Sequence, residues 1–147
     1  MSIDIHNATK PSLFRILASM FYDVWLIAAV LLIGVIADTF IRAAMGLQSG
    51  EGNHLLLNIY WVISPLIFYA WFWIHGGQTL GMKSWKLMVL TEDGNNLTWK
   101  QAVIRFLVAI VSLSLFGLGY FWRYINADGL TWHDLASGTR LVELAKK

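Results

Sequence analysis

The stretch Leu13 to Phe40 opens L-F-R-I-L-A-S-M-F-Y-D (13–23) and continues from Val24 to Ala37 for fourteen residues without a charge. A helix rises about 1.5 Å per residue, so roughly 20 apolar residues cross a hydrocarbon core of about 30 Å. The run is too long and too apolar for a surface helix and predicts a membrane span. Arg15 lies near its start, where a long side chain can snorkel to the headgroups. Asp23 lies about two turns deeper and has no such stem. A charge inside a span costs on the order of 3 kcal/mol by insertion scales, and marks a bundle interior or a pathway.

Arg15, Ser19 and Asp23 follow at i, i+4 and i+8. That spacing drifts by about 80° and sets Arg15 and Asp23 about 12 Å apart along the axis. They form a slanted polar row rather than a tight ion pair. Asp23 reads either as a buried carboxylate bonded to a neighbouring helix or as a group that takes up a proton or contacts a cation. Gly34 permits a close helix approach, and Asp38 falls late enough to reach the far interface.

Composition agrees with a membrane protein. The 147 residues are 57% hydrophobic and 14% charged, against about 25% charged in soluble domains. One domain over 1–147 is expected. Eight Trp and five Tyr suit interfacial belts. The absence of Cys removes disulfides, thiolate nucleophiles and cysteine-held metals. A net charge of +2 argues against nucleic acid as a partner. The polar N-terminus has no cleavage site behind its apolar segment, so the first span serves as its own insertion signal.

Along the chain, residues 41–54 read as a loop and Leu55 to Ile74 as a second span of twenty residues without a charge. Pro65 is expected to kink it, with Ser64 helping to satisfy the freed carbonyl. Asn58 is its strong polar group, read as an interhelical hydrogen-bond link, and Tyr69, Trp71, Phe72 and Trp73 as an interfacial belt. Lys83 to Leu90 resembles a short amphipathic element, and E-D-G-N-N (92–96) a turn. Thr98 to Gln101 fits a capping box, opening a helix that carries Arg105 into a third apolar run, Phe106 to Trp122. The tail ends in a short strand-like piece, Thr139 to Leu144.

Basic residues set the topology. Lys10 and Arg15 precede the first span, and Lys83, Lys86 and Lys100 lie between the second span and the third run. The positive-inside rule therefore puts the N-terminus and 75–104 in the cytoplasm and 41–54 outside. Arg123, Arg140, Lys146 and Lys147 then ask for a cytoplasmic tail, which three full crossings forbid. A re-entrant hairpin bent at Gly117 to Gly119 removes the conflict. Both alternatives remain open: a full third span or the hairpin.

No H-E-x-x-H, G-x-S-x-G, Walker A or G-x-G-x-x-G is present. The histidines at 6, 54, 75 and 133 have no ligand spacing. No enzyme activity, metal or cofactor is expected.

Taken together the pieces resemble the RDD family of small bacterial membrane proteins, named for one Arg and two Asp. The matching motifs are R-x-x-A-x-x-x-x-D (Arg15 to Asp23), G-Q-T-L-G-x-K (Gly77 to Lys83) and Asp93-Gly94. Arg105 at the third run and H-D-L-A-S-G-T (His133 to Thr139) follow in order. The naming residues by that resemblance are Arg15, Asp23 and Asp134. M-K-S-W-K (82–86) departs from the consecutive basic residues more usual in such proteins. The resemblance implies transport in a loose sense, some members being linked to sodium/proton antiport.

The expected architecture is an all-α integral membrane protein with two firm transmembrane helices, a third apolar segment and a small cytoplasmic cap from 75–104 and 126–147. The functional expectation is a multi-pass inner-membrane protein moving a small monovalent cation or a proton-coupled solute. Asp23 is its intramembrane site, with Arg15 and Asp134 as gating or pairing groups and Ser19, Asn58, Lys83, Arg105 and His133 in support. Asp134 is expected to cap a turn or to pair with Lys83 or Arg105, pinning the tail. The alternative is a non-transporting scaffold or assembly protein. The partners expected are the lipid bilayer and either a second copy or another membrane protein.

Overall fold

A computed structural model describes residues 9–47 and 54–144. Readings placed on His6, on the 48–53 part of the loop and on Lys146 and Lys147 fall outside them. Helix α1 runs Leu13–Ala44 and α2 Leu55–Gly76, both long and apolar enough to cross a membrane. With 32 residues, α1 is about 48 Å long. It outlasts a bilayer core and carries the rest of the molecule on its N-terminal turns. Past Phe40 it is continued by an Arg42–Asp38 ion pair of 2.7 Å, four residues apart.

The two spans meet where α1 is thinnest. The Tyr60 ring lies where a side chain at Gly34 would stand, and its hydroxyl donates to the Val30 carbonyl. Asn58, expected to make this link, is exposed. Two residues turn a helix by about 200°, so residues 58 and 60 cannot face the same neighbour. Pro65 lies inside the continuous α2, and the Ser64 hydroxyl has no hydrogen-bond partner among the described residues. The aromatic belt is also corrected. Trp73 is only 7% exposed, and Tyr69 packs on Trp73 and Phe106, so these rings belong to the core. Trp71 faces outward and stacks on His75.

Lys83 to Leu90 is not one element. A helical turn α3, Leu80–Ser84, passes through Lys86 at φ 56° into strand β1, Leu87–Thr91. Helix α4, Trp99–Ser114, begins at the Thr98–Gln101 capping box. Phe116 and Gly117 are both left-handed, with φ 54° and 77°. The chain there bends by 105° into the short α5, Leu118–Phe121, and a tight turn at Trp122–Tyr124. The third run is thus a bent pair, not one straight span. It returns the tail to the start of α4, where α6, Trp132–Ser137, and strand β2, Thr139–Glu143, are placed. The strands pair antiparallel, Leu87 with Glu143 through Thr91 with Thr139. The fold is mostly helical with this small strand pair in its cap. The buried core sits where cap meets spans, around Ile16, Ala70, Trp73, Leu87, Val89 and Tyr120.

Candidate functional site

Asp23 is 1% exposed, and what covers it is the G-Q-T-L-G segment. Gly77 ends α2 at φ 66°, and a Cβ there would come within 2.7 Å of the Val89 carbonyl. The turn and its approach to β1 therefore both call for glycine. Gln78 donates to the Leu87 carbonyl at 2.6 Å. Thr79 caps α3 by accepting from the Met82 N–H at 3.1 Å, and its hydroxyl donates to Asp23 Oδ2 at 2.5 Å. The Gly81 N–H donates to Asp23 Oδ1 at 3.0 Å. A Cβ on Gly81 would lie 2.8 Å from that oxygen and collide with the Ser19 carbonyl. Each carboxylate oxygen thus takes a donor from the first turn of α3, as a buried charge requires.

The second polar cluster is built by the tail. Thr131 and Asp134 form a capping box at α6, Asp134 Oδ2 accepting from the Thr131 N–H at 3.0 Å and its hydroxyl at 2.6 Å. Asp134 Oδ1 accepts from Arg105 Nη1, which also donates to Thr139 Oγ1 at 2.7 Å. Both members of the ion pair are about 3% exposed. Arg105 further lies over the Trp73 ring, 5.5 Å from its centre. Burial alone would raise the Asp134 carboxyl, but Arg105 and the hydrogen bonds from Thr131 and Arg105 hold it below the ordinary carboxylate value. For the neighbouring His133, burial first and Arg105 second push the imidazole down to about 3. It is neutral at physiological pH, its ring 4.7 Å from that of Tyr120.

Between the two clusters lies a cavity of about 110 Å³, walled mostly by apolar side chains such as Ile16, Phe106 and Leu113, with Asp23, Arg105 and His133 at its border. Trp73 Nε1 and His133 Nδ1, both buried, have no hydrogen-bond partner among the described residues.

The remaining candidates are placed apart. Arg15 reaches the cap, bonding the Trp85 carbonyl at 3.4 Å and Glu143 at 3.0 Å. Ser19 is buried beside the cavity and donates to the Ile16 carbonyl at 2.8 Å. Lys83 is exposed on α3 and takes no part in the Asp134 cluster, and Asn58 lies on the outer face of α2. Reading the sequence missed Thr79, Gly81, Thr131 and Thr139 as partners. The T-W-H-D of 131–134 carried the spacing of a capping box; Thr79 gave no local sign of a partner 56 residues away.

No curated protein and no solved structure matches the chain. A family profile does, over residues 11–138, which is most of its length. The chain belongs to the RDD family.

Proposed function

We propose that the protein moves protons, alone or coupled to a small cation, across the inner membrane, with its N-terminus and cap in the cytoplasm and Asp23 as the carrying group. The observation that supports this is the cavity that Asp23 shares with Arg105, Tyr69 and His133. A carboxylate serving only as a tether is served best by close packing, whereas one that exchanges a proton needs water at its side. Arg105 at the same cavity disfavours a bare metal ion there, since like charges repel strongly in a poorly hydrated site. Neutral water that relays a proton to or from the Asp23 carboxyl adds no cation beside Arg105. The lipid-facing lengths of α1 and α2 leave a path through the outer leaflet unwalled, so a second copy would complete it.

The test is purified protein in liposomes loaded with a pH-sensitive dye under an imposed pH gradient, with and without sodium or potassium. Dye response above that of empty liposomes supports the reading; none in any gradient rejects it.

A scaffold is the second reading, and one observation favours it. Arg15, Asp23 and Asp134 are each bonded within the cap or to it. Absent flux together with retention of another membrane protein on the purified chain would support that reading.

A further inference from the structure

The G-Q-T-L-G-x-K motif is accounted for as far as Gly81, but its Lys83 is not. The Lys83 side chain is exposed and makes no hydrogen bond or ion pair with another described residue. Leu80, Lys83 and Ser84 share one face of α3 by their i, i+3, i+4 spacing. Leu80, Gly81 and Ser84 form one wall of an open groove of about 490 Å³, whose other wall is Phe21, Tyr22, Trp25 and Leu26 of α1. Phe21, Tyr22 and Trp25 are 63%, 53% and 66% exposed. They stand where α1 leaves the cap and enters its charge-free run at Val24, the depth at which aromatic rings meet headgroups. Asp23, the acid closest in sequence, is buried and turned to Thr79 and Gly81, so no acid lines the groove; Lys83 is outside its wall and next to Leu80 and Ser84 by helical spacing.

We propose that this groove binds an anionic phospholipid, one acyl chain lying along Phe21, Tyr22 and Trp25 and the phosphate facing Lys83. The charge decides the class. A zwitterionic headgroup has no net attraction to Lys83, whereas an anionic one gains from a lysine near the surface. The site is on the outside of α1 and does not depend on whether the inner cavity carries protons.

The test is native mass spectrometry of the full-length protein in detergent, offered phosphatidylglycerol and phosphatidylcholine of matched chains. The wild type is expected to retain phosphatidylglycerol about fivefold over phosphatidylcholine, the increment of Lys83 alone. Lys83→Gln is expected to lose that preference, while Lys100→Gln, an exposed lysine away from the groove, keeps it. Trp25→Ala is expected to lower retention of both lipids. Equal retention of the two lipids by the wild type would overturn the proposal, as would an unchanged preference in Lys83→Gln or unchanged retention in Trp25→Ala. A dimer abolished by Trp25→Ala, with no lipid preference in the wild type, would give the groove to a second copy instead.

Discussion

Thr79 and Asp23 meet across 56 residues of sequence, and one hydroxyl there serves two partners. It donates to Asp23 Oδ2 at 2.5 Å and accepts from the Met82 N–H at 3.1 Å. The first span and the start of the cap are therefore locked by a single side chain, with the Gly81 N–H on the other carboxylate oxygen.

Thr79→Val keeps the shape and removes the hydroxyl. One oxygen of a buried carboxylate loses its donor and one helix N–H loses its acceptor, a loss of roughly 2–3 kcal/mol. Thr79→Ser keeps both bonds and is expected to stay near wild type. Thermal unfolding in detergent compares them; equal stability of the valine and serine variants would mean the hydroxyl is not needed.

The Arg105–Asp134 pair gives a second prediction. Removing one partner strands the other charge in a site about 3% exposed, so Arg105→Gln or Asp134→Asn is expected to cost roughly 3–5 kcal/mol. Arg105→Gln together with Asp134→Asn strands no charge and is expected to cost less than the two single losses added together. Simple addition in the double-mutant cycle would show that the groups do not interact.

His133 makes stability depend on pH. Its imidazole is neutral in the fold down to about 3, against an ordinary 6.5. Below 6.5 the unfolded chain binds a proton that the folded one does not. The contribution is therefore full above pH 6.5 and is lost as pH falls toward 3, up to roughly 5 kcal/mol in all. Asp134, held low, adds its own loss only below its ordinary value of 3.8. The melting temperature of the wild type is expected to fall steadily from pH 6.5 to 4.5, and that of His133→Phe to stay nearly level. Parallel curves would mean His133 is not the group responsible.

The bent third run fixes which loops share a side. Glu92 in the turn after β1 and Asp128 before α6 are exposed on parts joined by the β1–β2 pair and the α4–α6 packing. Leu47 follows the far end of α1. The chain has no Cys, so single cysteines report directly. Those at 92 and 128 are expected to resist an impermeant thiol reagent in intact cells and react after lysis, while one at 47 reacts in both. Labelling of 128 but not 92 from outside would require a full third crossing.

Much of this was legible in the sequence because long apolar runs have few alternatives. Leu13 to Phe40 and Leu55 to Ile74 can only be buried in lipid or in a core larger than the chain supplies. The capping box at Thr98 has the same local character. Lys83 to Leu90 failed because its pattern is short and its outcome is tertiary. Leu87 is a strand residue through pairing with Glu143, far off in sequence. Asn58 failed because polarity says that a group wants a partner and not which face it occupies. From sequence, Asp134 is expected to cap a turn or to pair with Lys83 or Arg105, and it caps α6 and pairs with Arg105; Asp23 stands out as a charge, but its donor Thr79 is fixed only by how α3 docks.

The most direct measurement is proton flux into dye-loaded liposomes by wild type and Asp23→Asn, each first shown to be folded and reconstituted equally. Asparagine keeps the size and one acceptor but cannot exchange a proton under these conditions. The account predicts flux in the wild type and a return to the empty-liposome level in the variant, with Asp23→Glu retaining part of it. A folded Asp23→Asn protein that carries protons as fast as the wild type would contradict it.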